Sequence, residues 1–81
     1  GVKVWPSPAY SILNINIEHS TKIKPTILIH NLMGKVILRK KLQENNQFSE
    51  VISINRLTPG NYILSIITTT ISHHQSIIIA R

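Results

Sequence analysis

The sequence predicts an all-β fold, an immunoglobulin-like antiparallel β-sandwich of about seven strands. Three observations lead there. Isoleucine is the commonest residue of the hydrophobic content, which is 42% of 81 residues with only 5% aromatic, and β-branched side chains favour strands. Apolar and polar residues alternate with a period of two in several runs, and no window repeats at 3.6. Turn formers punctuate the chain at regular spacing, as in Pro6-Ser7-Pro8, Asn31–Lys35 and Leu57–Gly60. A small barrel is the alternative architecture. At this length residues 1–81 form one domain, burying about 60–70% of its unfolded surface.

Val2–Trp5 reads as a short first strand, stopped by Pro6 and Pro8. Pro6 lacks a donor, so this segment belongs at a sheet edge or in a crossing between sheets. Trp5 beside the prolines is expected to cap the core. Leu13, Ile15 and Ile17 alternate with Asn14, Asn16 and Glu18 in the second strand, and His19–Lys22 reads as a loop. Pro25 opens the third strand, with Ile27 and Ile29 inward and His30 half-exposed. Asn31–Lys35 is a turn in which Gly34 takes the left-handed conformation. Val36–Lys41 is the fourth strand and Gln43–Gln47 a polar loop. Phe48–Ile54 is the fifth strand, Asn61–Thr68 the sixth and Gln75–Ala80 the last.

The segment from Val51 to Ile67 organises the rest. Pro59 presets the first central position of a tight turn, and Gly60 supplies the positive φ of a type II turn. Tyr62, at the following strand start, fits either a tyrosine corner, its hydroxyl bonded to backbone just upstream, or an ordinary core tyrosine.

Net charge is +6, set by scarcity of acid: Glu18, Glu44 and Glu50 are the only carboxylate side chains. Arg39-Lys40-Lys41 is the one basic cluster, and alternation splits Lys40 from its neighbours. Its simplest role is to keep a sheet edge charged against edge-to-edge pairing. An anionic partner, either lipopolysaccharide or nucleic acid, is the other use of such charge. The few aromatics are dispersed, which speaks against nucleic acid. No apolar run approaches the ~20 residues of a membrane helix.

Catalytic chemistry finds little material. There is no cysteine or aspartate, three glycines stand far apart, and the glutamates are scattered. His73 and His74 are adjacent, read as loop residues of the final hairpin. On a strand they would face opposite ways, and no third metal ligand lies near in sequence. Neither an enzyme nor a cofactor is expected.

Four segments taken in order then resemble a known family. Val4-Trp5-Pro6-Ser7-Pro8 is similar to the opening Tyr-Pro-Asn-Pro motif of C-terminal sorting domains of the type IX secretion system. Ile29–Val36 resembles their strand ending in Asn, two apolar residues and Gly-Lys. Ile54–Leu64 resembles their Leu-x-x-Gly-x-Tyr segment, and Ile77–Arg81 their apolar final strand with its basic end. Trp5, Ser7 and Asn61 depart from the usual tyrosine, asparagine and valine.

The resemblance implies a non-catalytic signal that directs a cargo protein across the outer membrane, followed by removal by a surface sortase. It implies the secretion machinery and sortase as partners, and export through the periplasm to the cell surface or medium. Recognition is expected at Gly34, Lys35, Gly60, Ile77, Ile78, Ile79 and Arg81, with the last strand offering an edge for strand addition. The start at Gly1, with no leader, fits the end piece of a longer secreted protein. Contact with anionic lipopolysaccharide and an edge-strand homodimer are further expectations. A structural or carbohydrate-binding sandwich attached to a secreted enzyme is the alternative function.

Overall fold

A computed structural model describes residues 1–81. It has seven strands and no helix: β1 (Val2–Trp5), β2 (Ile12–Ile23), β3 (Thr26–Asn31), β4 (Val36–Lys41), β5 (Asn45–Ser53), β6 (Gly60–Ile67) and β7 (Ser72–Ile79). They form two antiparallel sheets, one ordered β1-β2-β5 and the other β4-β3-β6-β7. This is an immunoglobulin-like sandwich, in which β5 and β6 hold the places of strands E and F.

The period-two pattern decides which face each strand buries. Leu13, Ile15 and Ile17 of β2 meet Ile27 and Ile29 of β3 and Leu64 and Ile66 of β6 in one core between the sheets. Each of these side chains is buried, worth about 1.5–3 kcal/mol relative to exposure. Isoleucine suits such a layer because its branched Cβ is already confined in an extended chain.

The β3–β4 hairpin is built by Asn31. Its carbonyl accepts the Gly34 N–H at 3.0 Å, and its side-chain Oδ1 accepts the N–H groups of Met33 at 3.0 Å and Lys35 at 2.9 Å. Gly34 completes the turn at φ 90°, as its position in the sequence predicts. One extra residue then enters β4, since Ile29 pairs with Leu38 but His30 with Val36.

Several expectations need correction. His19–Lys22 is not a loop: β2 runs on to Ile23, with its register shifted between Glu18 and Ile23. Of the expected loop Gln43–Gln47, Asn45, Asn46 and Gln47 belong to β5, where Asn45 pairs with Ile23 and Gln47 with Glu18. His73 and His74 lie on β7, paired with Ile66 and Ser65. Neither is a loop residue, and His74 Nδ1 lies 2.7 Å from the buried Ser65 Oγ. Trp5 does not cap the core. It points outward on an edge strand, 43% exposed, because Val2 and Val4 hold the inward positions of β1.

The turn before β6 also differs from expectation. A type II turn centred on Pro59 and Gly60 would close with the Thr58 carbonyl accepting from Asn61. That carbonyl instead accepts the Tyr62 hydroxyl at 2.5 Å. The hydrogen-bonded turn lies upstream, where the Leu57 N–H donates to the Ile54 carbonyl at 3.0 Å. Gly60 enters β6 at φ 154°, far from the ~80° of a type II turn.

Candidate recognition surface

Cross-strand register gathers distant parts of the chain at one end of the sandwich. Asn31 stands beside Tyr62, Tyr62 beside Ile77, and Gly60 beside Ile79. The Asn31–Lys35 turn, the start of β6 and the end of β7 therefore share a pole. The turn after β5 joins them through side chains. Tyr62 bonds to Thr58 as a tyrosine corner, and Arg81 donates from one guanidinium nitrogen to the Ile54 carbonyl at 2.6 Å and from the other to that of Leu57.

The segment after β1 reaches the same pole. Once past Pro8 the chain leaves the first sheet and lays Ala9 against β7, in the parallel sense. The Ala9 N–H donates to the Ile78 carbonyl at 2.8 Å, and the Ala80 N–H donates to the Ala9 carbonyl at 2.9 Å. Ala9 is 1% exposed and packs in the core. Ser11 continues the strap by accepting the Ile54 N–H at 2.9 Å.

The segments Val4–Pro8, Ile29–Val36, Ile54–Leu64 and Ile77–Arg81 thus lie in one neighbourhood of the fold. A profile of the secretion system C-terminal sorting domain family matches residues 3–80. The chain belongs to that family. No curated protein matches it.

This sorting domain is the type IX kind, carried by proteins secreted across the outer membrane. Its expected recognition residues divide by exposure. Ile77 and Ile79 are buried in the core, whereas Ile78 between them is 48% exposed. Gly34 completes the Asn31–Lys35 turn, and Gly60 opens β6. Arg81 binds backbone carbonyls of its own domain. Lys35 is exposed, its N–H fixed by Asn31. Beside it at the hairpin tip, Leu32 and Met33 are also exposed.

The four sheet edges are not equivalent. β4 carries Arg39, Lys40 and Lys41 and a bulge, β5 carries Glu50, and β1 has only four residues. Charge, bulges and shortness all discourage strand addition. β7 has eight residues and no lysine, arginine or carboxylate. The Ile78 carbonyl and Ala80 N–H point away from β6, so by alternation the backbone groups of His74 and Ser76 do too. Sequence reasoning missed the Ala9 strap, which covers the far end of this edge. An apolar residue just after Pro8 was the available signal.

No helix is long and apolar enough to cross a membrane. No cluster of three or more His, Cys, Asp or Glu is placed to hold a metal ion.

Proposed function

We propose that the pole assembled from the family's motifs is the surface by which the type IX machinery selects its cargo. Residues 1–81 act as the non-catalytic C-terminal domain of a longer secreted protein. The exposed Lys35 and Ile78 contact the machinery, and the free outer edge of β7 around His74 and Ser76 accepts a strand from it. Gly34, Gly60, Ile77, Ile79 and Arg81 serve recognition indirectly, by holding those groups in place. A surface sortase then removes the domain.

The observation that carries this reading is the convergence of four sequence-distant motif segments at one end of the fold. A partner that must accept many cargoes needs a surface independent of them, and backbone and shape supply it. Two further contacts extend the reading. Arg39 and Lys41 point outward from a sheet that contains no carboxylate, which suits anionic lipopolysaccharide. The uncharged β7 edge also suits a second copy of the chain.

The test is a fluorescent cargo fused to the domain carrying Lys35→Glu together with Ile78→Asp. Both positions are exposed, so stability should change little, and circular dichroism checks that the fold persists. Cargo held in the periplasm is the expected result. Normal surface display by the folded variant overturns the reading.

A further inference from the structure

The outward face of the β1-β2-β5 sheet has a composition and shape that sorting does not use. Lys3, Asn16 and Ser49 form one cross-strand row, and Glu18 and Gln47 part of another. Between these rows Val2, Ile17 and Phe48 send their side chains inward, where they pack on the core. Bare backbone is left on the outside. The result is a trough across all three strands, about 570 Å³ in volume, floored by that backbone and walled by the two polar rows.

The wall side chains are neutral in sum on a chain of net charge +6, and the Gly1 ammonium at one end is engaged by the Glu18 carbonyl at 2.6 Å. Lys3 contributes one positive charge and Glu18 one negative. Glu18 Oε1 accepts from Gln47 Nε2 at 3.1 Å, which fixes both groups at the rim. The next row along the strands is Trp5, Asn14 and Val51. Trp5 projects from the same side of β1 as Lys3, and Asn14 Nδ2 donates to its carbonyl at 3.3 Å. Indole and amide side chains therefore stand side by side on a rigid sheet.

We propose that this face binds a neutral oligosaccharide. A primary amide offers donors and an acceptor in one plane, which matches neighbouring hydroxyls of a sugar ring. An exposed indole covers the apolar face of such a ring while its N–H stays available. The concave floor excludes part of the solvent. An anionic polymer would instead favour the other sheet, where Arg39 and Lys41 face outward without a carboxylate. This face shares only Trp5, of the Val4–Pro8 segment, with the sorting pole.

Trp5 is the only tryptophan and stands one row beyond the trough on the same face, so its fluorescence reports on a ligand long enough to span both rows. The 81-residue chain is titrated with short oligosaccharides of glucose, mannose, galactose, xylose and N-acetylglucosamine, by fluorescence and by calorimetry. Saturable binding of at least one, with a change in Trp5 emission, is the expected result. Asn16→Ala with Gln47→Ala should weaken it about tenfold or more, while Lys41→Ala on the other sheet leaves it unchanged. Circular dichroism verifies that the variants remain folded. The proposal fails if no member of the panel binds, if only an anionic polymer such as heparin does, or if the double variant binds like the parent.

Discussion

The guanidinium of Arg81 donates to the carbonyl of Ile54 at 2.6 Å, joining residues 27 positions apart in the chain. The same side chain donates to Leu57, so two carbonyls of one turn are met by a single planar group. The end of β7 is thereby tied to the connection between β5 and β6.

Replacing Arg81 by alanine removes both charged donors. Because the residue is solvent-exposed, the expected loss is about 1–2 kcal/mol of unfolding free energy, read by urea titration. Arg81→Lys should recover only part of it, since an ammonium lacks the fork. Stability unchanged in Arg81→Ala would mean that the clasp holds nothing.

Tyr62→Phe keeps the buried ring and removes only the hydroxyl that bonds to Thr58. The expected cost is about 1–1.5 kcal/mol, measured by the same titration with an unchanged denaturant slope. A null effect would show that the corner does not stabilise the fold.

Gly34 has φ 90°, and no atom lies within 4 Å of where a Cβ would be. Gly34→Ala therefore meets no clash and suffers only backbone strain, about 1 kcal/mol. Asn31→Ala loses the acceptor for Met33 and Lys35 and should cost a similar amount. Thermal unfolding distinguishes strain from lost hydrogen bonds, because Gly34→Asn should recover part of the first loss, and Asn31→Asp, which keeps the acceptor, part of the second.

Lys40 and Glu50 are 2.7 Å apart and connect edge strands of the two sheets. Their side chains are 46% and 23% exposed, so the pair should contribute at most about 1 kcal/mol. Glu50→Gln should lower stability by that much in dilute buffer, and the difference should shrink in about 1 M salt, where screening is short-ranged.

Much of the fold was legible because alternation is a local property. Leu13, Ile15 and Ile17 declare a strand and its buried face without reference to anything else. The same holds for Tyr62, Leu64 and Ile66. Polar extended segments gave no such sign. Asn45-Asn46 and His73-His74 are strand because a partner strand is beside them, and His19–Lys22 because it is carried between the paired Glu18 and Ile23; nothing in their side chains records it. The turn at Pro59-Gly60 was misread for a related reason, since Gly60 is already paired with Ile79 as the first residue of β6. For the recognition surface, order along the chain gave the segments, but only register shows that they meet. The carbonyls that Arg81 binds belong to the backbone, and no residue type marks them.

The strap through Ala9 has a consequence for the timing of export. Its two hydrogen bonds need Ile78 and Ala80, so a nascent chain cannot finish this end of the domain until both have been synthesised. Cargo truncated before them would arrive at the machinery without an assembled pole. If that pole is what the machinery reads, then the reading doubles as an inspection for completeness, and unfinished proteins stay inside.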